Sequence, residues 1–275
     1  MANSTAYRTG LASFLEVSGQ DHIEADGILG QLPSYAPKTL NMLREKGHGR
    51  MLDIGAGNGM KALYITEGLS NLGAETTIDS LEPREEQREE LLRTYKSHPK
   101  HRGRVHPVTL GNFHPYERYD ITLLIHSLYE FPRNNDGTIS TLSKLTELMG
   151  EGGTSTVVIE DPESDLQKMK RSLYPEFGKC PPISRRVVEG TLEKERMKYT
   201  AGQCIKFGLD VSHLLARTDA EIGRDLSFLF SDSLSEGGLN MEQMISIGKW
   251  VRSNHQIDAG IRFLWTPDIV IWVTA

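Results

Sequence analysis

Three glycines, Gly55, Gly57 and Gly59, lie between an apolar run and a predicted helix. Glycine is required where the backbone adopts angles closed to other residues, and it places no Cβ in the way of a ligand. A glycine turn between a strand and a helix therefore predicts a site for a nucleotide-type ligand. A tight turn that holds no ligand is the alternative interpretation of the same pattern.

The acid beside this turn indicates the charge of the ligand. A dinucleotide-binding turn has its third glycine one position later, where this chain has Met60. The carboxylate of Asp53, just before the turn, would repel a diphosphate and help to hold a cationic amino-acid group. The turn thus favours S-adenosylmethionine over NAD, with Asp53, Gly55 and Gly57 as predicted cofactor-binding residues.

A second acid, Glu82, stands at the end of the next apolar run, 76–81. A carboxylate at the end of a second strand can accept hydrogen bonds from both hydroxyl groups of a ribose that lies over the first strand. The alternative is that Glu82 only complements the positive N-terminal end of the helix predicted from Glu85. We predict that Glu82 binds the cofactor.

His126 and Tyr129 follow the apolar run 121–125 and are the predicted catalytic residues. A histidine at the carboxyl end of a strand can hold an amine acceptor deprotonated, as a base or as a hydrogen-bond partner. Tyr129 and Trp265 are suited to form aromatic walls around a cationic or planar acceptor. The alternatives are a histidine hydrogen-bonded within the sheet edge and aromatic rings that pack in the core.

The elements that position these residues are predicted to be alternating strands and helices. Apolar patterning predicts strands at 51–54, 76–81, 105–110, 121–125 and 156–159, and helices at 60–72, 85–95 and 139–149. This alternation predicts a parallel sheet with its ligand at the carboxyl ends of the strands. The glycine run 150–153 predicts the turn between the last of these helices and the strand that follows.

The pattern predicts three regions. Residues 1–48 form an N-terminal helical arm, residues 49–160 a Rossmann-like cofactor-binding core, and residues 161–275 an insertion that covers the substrate and completes the sheet. Prolines interrupt the periodicity of the third region. Its predicted elements are helices at 166–173, 185–197, 226–234 and 241–251, a strand over 204–211 and a final strand over 269–273.

The run 52–59, followed by an acid at the end of the second strand, resembles the class I S-adenosylmethionine-dependent methyltransferases over residues 50–160. The resemblance implies an α/β fold: a Rossmann-like sheet of seven mostly parallel strands, flanked by helices, with an antiparallel strand at 269–273. It also implies methyl transfer from S-adenosylmethionine to a small molecule.

A narrower resemblance is to the histamine N-methyltransferase group, which has Glu-Pro-x-x-Glu-Gln after its second strand, as this chain has at 82–87. Leu128-Tyr129 after the fourth strand also matches. This resemblance implies an amine or imidazole acceptor, although the C-terminal asparagine of that group has no counterpart at 265–268, which argues against histamine itself. An O-methyltransferase and a binding protein without catalysis are the alternatives.

The same resemblance implies that Gln87 and Ile125 bind the cofactor and that Asp21 contacts the substrate. Asn112 is a further predicted cofactor-binding residue, and His22 and Trp265 are further predicted substrate-binding residues.

The composition limits the partners. With a net charge of −6 and a pI of about 5.9, the chain attracts neither nucleic acid nor an anionic membrane. Its two cysteines match no zinc-ligand spacing, so we expect no metal. No run reaches the ~20 apolar residues that span a bilayer, and the N-terminal residues lack a signal-peptide core. We therefore expect a cytoplasmic protein that binds a small-molecule acceptor, as a monomer or dimer.

Overall fold

The computed structural model describes residues 19–98, 103–132, 134, 139–140, 142–177, 183–227, 229–230 and 239–275. The chain forms two compact units. The core unit consists of Asp21–Ile159, Arg185–Ile205 and Ile269–Ala275, and the second unit of Met1–Gln20, Glu160–Ser184 and Lys206–Asp268. Each unit is thus assembled from stretches that are far apart in the sequence.

The helices and strands of the described residues follow in chain order. The α-helices are α1 (Gln20–Tyr35), α2 (Pro37–Lys46), α3 (Met60–Asn71), α4 (Glu85–Ser97), α5 (Lys144–Leu148), α6 (Asp165–Leu173), α7 (Arg185–Lys194), α8 (Asp219–Asp225) and α9 (Met241–Asn254). The strands are β1 (His48–Ile54), β2 (Glu75–Leu81), β3 (Val105–His106), β4 (Tyr119–Ile125), β5 (Met149–Glu160), β6 (Lys198–Ile205), β7 (Gly208–Asp210), β8 (Gln256–Asp258), β9 (Ile261–Trp265) and β10 (Asp268–Thr274). Short 3₁₀ helices lie at Leu110–Asn112, Leu128–Glu130 and Leu214–Ala216.

Seven strands form one sheet in the order β3-β2-β1-β4-β5-β10-β6. The neighbours β3 and β2, β2 and β1, β1 and β4, and β4 and β5 pair in parallel. β10 runs antiparallel to β5, because Ala275 N–H donates to Gly153 at the start of β5 while Asp161 N–H, just after β5, donates to Pro267. The predicted fold class, a mostly parallel seven-stranded sheet flanked by helices, is confirmed.

The carboxyl ends of the parallel strands set the position of the predicted site. β1, β2, β3 and β4 end at Ile54, Leu81, His106 and Ile125, and strands that run in parallel end at the same edge of a sheet. Residues 51–54 and 121–125 are all buried, as expected for central strands of a sheet that is covered on both faces. The glycine turn after β1 and the histidine after β4 therefore share one edge.

α1 packs against the edge strand β6. The Gln31 side chain donates to the Gln203 carbonyl at 2.9 Å and accepts from the Gln203 N–H at 2.7 Å. Gly27 lets the helix come close, since an ideal Cβ there would lie only 2.7 Å from the Ile205 side chain. These contacts fix the orientation of α1, whose first turns carry the predicted substrate-binding acid.

The strand predicted over 105–110 is much shorter in the structure. β3 ends at His106, because the next residue, Pro107, has no N–H to continue the ladder. Residues Leu110–Asn112 form a 3₁₀ turn instead.

The helix predicted over 139–149 and the turn predicted over 150–153 also differ from the structure. The described helix there is α5, and β5 begins directly after it at Met149. The glycine run lies inside β5 as a bulge: Tyr119 pairs with Met149, whereas Ile121 pairs with Thr154. Extra residues on one strand bulge outward because the partner strand offers them no opposite residue.

The second unit has a core of its own, centred on α6, α8 and α9 and containing Tyr174 and Phe230. β7, β9 and β8 form a three-stranded antiparallel sheet in that order. The predicted strand over 204–211 is divided, since β6 ends at Ile205 and β7 begins at Gly208.

The helix predicted over 226–234 falls largely outside the described residues, which lack 228 and 231–238. Before that range lies α8, which begins with a capping box at Thr218 and ends at Asp225. Among the described residues, no helix combines the length and the hydropathy of a membrane-spanning segment.

Candidate functional site

The turn between β1 and α3 has the backbone that its glycines predict. Gly55, Gly57 and Gly59 have φ of 74°, 56° and 78°, in the left-handed region that residues with a Cβ rarely adopt. The N–H groups of Gly55 and Ala56 both donate to the Leu81 carbonyl, at 2.9 and 3.1 Å. The turn is therefore held against the end of β2.

The three glycines are required for different reasons. A Cβ on Gly55 would lie 2.5 Å from the Cβ of Ser127, and a Cβ on Gly59 would lie 2.3 Å from the Leu91 side chain. A Cβ on Gly57 would meet no atom of the described residues within 4 Å. Packing explains Gly55 and Gly59, whereas Gly57 leaves the turn open to a ligand.

Glu82 is 3% exposed and binds the glycine turn through its side chain. Its Oε2 accepts a hydrogen bond from the Gly57 N–H at 3.0 Å, and its Oε1 accepts one from the Arg84 N–H at 3.0 Å. Each carboxylate oxygen can accept more than one hydrogen bond, so these contacts do not exhaust what Glu82 can bind. A hydroxyl group lying over the open face of the turn would find an acceptor in Glu82.

Asp53 is a buried acid near the end of β1. Burial raises the pKa of its carboxyl from 3.8 to about 7; Lys61 opposes this rise, while the negative charges of Glu82 and Asp21 add to it. At neutral pH, Asp53 is therefore close to half ionised. A cation bound beside it would favour the ionised form.

Lys61, in the first turn of α3, connects this region to α1. Its Nζ lies 3.0 Å from Oε2 of Glu24 and 3.5 Å from Oδ1 of Asp21. The Glu24 side chain is fully buried, and a buried carboxylate needs an opposite charge to remain ionised. The two acids of α1 and the lysine of α3 thus form one ionic cluster.

His126 extends this cluster to the end of β4. Its backbone is left-handed, with φ of 53°, and its N–H donates to the Val158 carbonyl at 3.0 Å. On the side chain, Nε2 lies 3.0 Å from Oε1 of Glu24, and Nδ1 lies 3.4 Å from the Tyr129 hydroxyl. The structure therefore brings the two predicted catalytic residues into contact, and it links both to an acid of α1.

The remaining predicted cofactor-binding residues each lie at or after the carboxyl end of a strand. Ile125 is the last residue of β4 and is 8% exposed. Gln87 is half-buried in the first turn of α4, after β2, and Asn112 is exposed at the end of the 3₁₀ turn that follows β3. Their contact with a cofactor stays a prediction.

The predicted substrate-binding residues belong to different units. Asp21 and His22 lie in the first turn of α1, where the exposed His22 ring stacks on Tyr64 with centroids 3.6 Å apart. Trp265 ends β9 in the second unit, where its N–H donates to Asp165 Oδ2 at 2.7 Å. Asp21 belongs to the ionic cluster of the core unit, and the role of Trp265 stays a prediction.

Glu24 and Lys61 are the site residues that the sequence analysis missed. Glu24 shares the buried face of α1 with Ile28 and Leu32, at spacings of one and two helical turns. A carboxylate in such an apolar stripe is a signal that a partner is near. Lys61 gives a weaker signal, because a cation in the first turn of a helix is unfavourable unless an acid compensates it.

Comparison with known proteins identifies the fold. No protein-family model matches the chain, and no curated protein matches its sequence. Among solved structures, loganic acid methyltransferase with SAH has a TM-score of 0.56 and 10% identity, covering 92% of this chain and 94% of its own. The YcgJ protein of Bacillus subtilis has a TM-score of 0.54 and 13% identity, covering 86% of this chain and 97% of its own. A protein of Bacillus halodurans C-125, provisionally named a methyltransferase, has a TM-score of 0.54 and 12% identity, covering 87% and 97%. The chain therefore has the Rossmann-like fold of methyltransferases.

Proposed function

We propose that the chain is an S-adenosylmethionine-dependent methyltransferase that acts on a small molecule. The observation that carries this proposal is the open face of the glycine turn at Gly57, whose N–H is held by the buried carboxylate of Glu82. The hydroxyl groups of a ribose over that face would donate hydrogen bonds to Glu82. The cationic amino-acid part of the cofactor would lie towards Asp53. The fold shared with loganic acid methyltransferase, whose structure contains SAH, supports the same cofactor.

The residues of the chain have three tasks in this reaction. When bound, S-adenosylmethionine supplies a methyl group on a positively charged sulfur, which a lone pair of the acceptor displaces in line. Gly57 and Glu82 hold the nucleoside end, and alignment of acceptor and methyl contributes up to ~7–11 kcal/mol. His126, with Tyr129, accepts a proton from the acceptor so that its lone pair is available.

We propose further that the acceptor is an amine or an imidazole, methylated on nitrogen. The cluster and its surroundings contain the carboxylates of Asp21, Glu24, Asp53 and Glu82 against the ammonium group of Lys61. Such an excess of acids attracts a cationic acceptor and repels a carboxylate. The sequence resemblance to the histamine N-methyltransferase group supports the same acceptor class.

The test of this function is incubation with methyl-labelled S-adenosylmethionine and a panel of amines, imidazoles, phenols and carboxylates. We expect labelled product from an amine or imidazole. Product from a phenol or carboxylate alone would show an O-methyltransferase. Binding of the cofactor without any product from the panel would favour a binding protein, and a chain that does not bind the cofactor would refute the proposal.

Gly57→Ala tests whether the open face of the turn receives the cofactor. We expect the Kd for S-adenosylmethionine to rise ~10–100-fold, because a methyl group would occupy the space that the nucleoside approaches. Isothermal titration calorimetry measures this change.

The chain offers a matched control in Gly73→Ala. Gly73 also has a left-handed φ, 83°, and open space around its Cβ position, so alanine costs each site about the same ~1–2 kcal/mol of backbone strain. Gly73 lies between α3 and β2, away from the turn. Equal loss of affinity in both variants would show that backbone strain alone is responsible.

His126→Ala tests the proton acceptor. We expect kcat to fall ~10²–10⁴-fold, the usual range for loss of a general base, while the Kd for S-adenosylmethionine changes less than about threefold. His48→Ala, at the exposed start of β1, is the control and should keep both values. Wild-type turnover in His126→Ala would remove this residue from the mechanism.

A further inference from the structure

A continuous series of contacts joins four side chains in the order Tyr129, His126, Glu24 and Lys61. The Tyr129 hydroxyl lies 3.4 Å from His126 Nδ1, and His126 Nε2 lies 3.0 Å from Glu24 Oε1. The other oxygen of Glu24, Oε2, lies 3.0 Å from the Nζ of Lys61. Each of the two Glu24 oxygens therefore has a different partner.

The chemistry of these groups assigns the proton on the His126 ring. An ammonium group has no acceptor, so the lysine favours an ionised Glu24, and an ionised carboxylate only accepts hydrogen bonds. The ring nitrogen that faces Glu24, Nε2, must then carry the proton. In the neutral ring the other nitrogen, Nδ1, has a lone pair, and the Tyr129 hydroxyl donates to it.

We propose that Glu24 is a positioning residue that holds His126 in the Nε2-protonated tautomer, so that Nδ1 serves as the proton acceptor of the site through Tyr129. The consequence for catalysis rests on the proposed methyl transfer, whereas the tautomer does not. A cationic amine would pass one N–H proton to the Tyr129 oxygen while the Tyr129 proton passes to Nδ1. The products are a neutral amine with a free lone pair, an unchanged tyrosine and an imidazolium ion that Glu24 stabilises.

The backbone of His126 supports an orienting role. A left-handed φ of 53° in a residue with a Cβ costs energy, and such conformations persist where the surrounding structure fixes them. Here the Val158 carbonyl fixes the backbone N–H and Glu24 fixes the ring. The sheet therefore holds the backbone of His126, and α1 holds its ring.

The first experiment reads the tautomer directly and needs no activity. Long-range ¹H–¹⁵N correlation spectra of the whole protein, labelled on histidine, distinguish a protonated Nε2 from a protonated Nδ1. We expect His126 to be protonated on Nε2 in the wild type and in Tyr129→Phe. In Glu24→Gln this preference should be lost or reversed, because an amide can donate as well as accept. Asp26→Asn, an exposed acid on the same helix, is the control and should leave the tautomer unchanged.

The second experiment asks whether Glu24 acts through His126. We expect Glu24→Gln to lower kcat ~10–100-fold with the KM for S-adenosylmethionine within about twofold. In a His126→Ala background the same change should lower kcat by less than twofold, because residues that act as a unit are not additive. A purely structural role of Glu24 would instead give additive losses.

The outcomes separate this inference from the proposed function. A wild-type ring protonated on Nδ1 overturns the inference even if Glu24→Gln does not fold, and additive losses overturn it as well. A protein that methylates nothing, but loses the Nε2 tautomer in Glu24→Gln, would refute the proposed function while supporting Glu24 as the residue that positions the ring. An active enzyme with the same tautomer in both proteins would refute the inference alone.

Discussion

Glu82→Ala should raise the Kd for S-adenosylmethionine at least ~100-fold while the protein remains folded. The variant loses an ionised acceptor for the ribose hydroxyl groups, and hydrogen bonds to charged groups contribute ~1.5–3 kcal/mol each. It also frees the Gly57 N–H that Oε2 of Glu82 holds at 3.0 Å, so the open face of the turn becomes less ordered. Calorimetric titration with S-adenosylmethionine and with S-adenosylhomocysteine measures the change.

Glu85→Ala controls for the change in net charge. Glu85 is exposed in the first turn of α4, three residues from Glu82, and it is not part of the predicted site. We expect its Kd to stay within about threefold of the wild type. If Glu82→Ala bound the cofactor as tightly as Glu85→Ala does, the ribose would have to lie elsewhere.

The conformation of the glycine turn could be predicted from the local sequence. A buried strand, three glycines and a helix start within one short stretch, so the conformation of the turn depends little on the rest of the chain. Glu82 needed one more step, the parallel pairing of β1 and β2, which the alternation of strands and helices already indicates. The same reasoning placed Ile54 and Ile125 at one edge of the sheet.

The ionic cluster depends on contacts between distant residues, and for that reason the sequence analysis missed half of it. Glu24 and His126 are more than a hundred positions apart, and their contact requires the packing of α1 on the sheet. Lys61 has no motif of its own. The spacing of apolar residues predicts which face of α1 is buried, but it does not reveal which polar side chain on another element meets that face.

Two of the predicted elements, the turn over 150–153 and the strand over 105–110, were wrong because a local signal had more than one meaning. Glycines at 150–153 suit a turn, yet they also allow the bulge in β5. The apolar residues of 105–110 suit a strand, but Pro107 ends the ladder after two residues.

Asp53→Asn should change the pH dependence of stability, because burial raises the pKa of Asp53 from 3.8 to about 7. Between these values the folded protein binds a proton that the unfolded chain has lost. Stability therefore falls as the pH rises through this window and becomes level above about 7. The full effect is about 4 kcal/mol, from about 1.4 kcal/mol for each pH unit.

Asparagine does not titrate, so urea unfolding should show the variant gaining stability relative to the wild type from pH 4 to pH 8. A difference in stability between Asp53→Asn and the wild type that stays constant with pH would contradict the assignment.

The titration of Asp53 should also change the affinity for the cofactor, but affinity should increase with pH where stability decreases. The cationic amino-acid part of S-adenosylmethionine favours the ionised carboxylate, so the wild-type Kd should rise as the pH falls below about 7, by up to tenfold per unit. Binding near neutral pH should release a proton, which calorimetry detects as a dependence of the apparent enthalpy on the buffer. In Asp53→Asn the Kd at pH 8 should be at least ~10-fold higher than in the wild type. Both the pH dependence of the Kd and the proton release on binding should be lost. A wild-type Kd that is constant from pH 5.5 to pH 8 would show that Asp53 does not bind the cofactor, even if Glu82 binds the ribose as proposed.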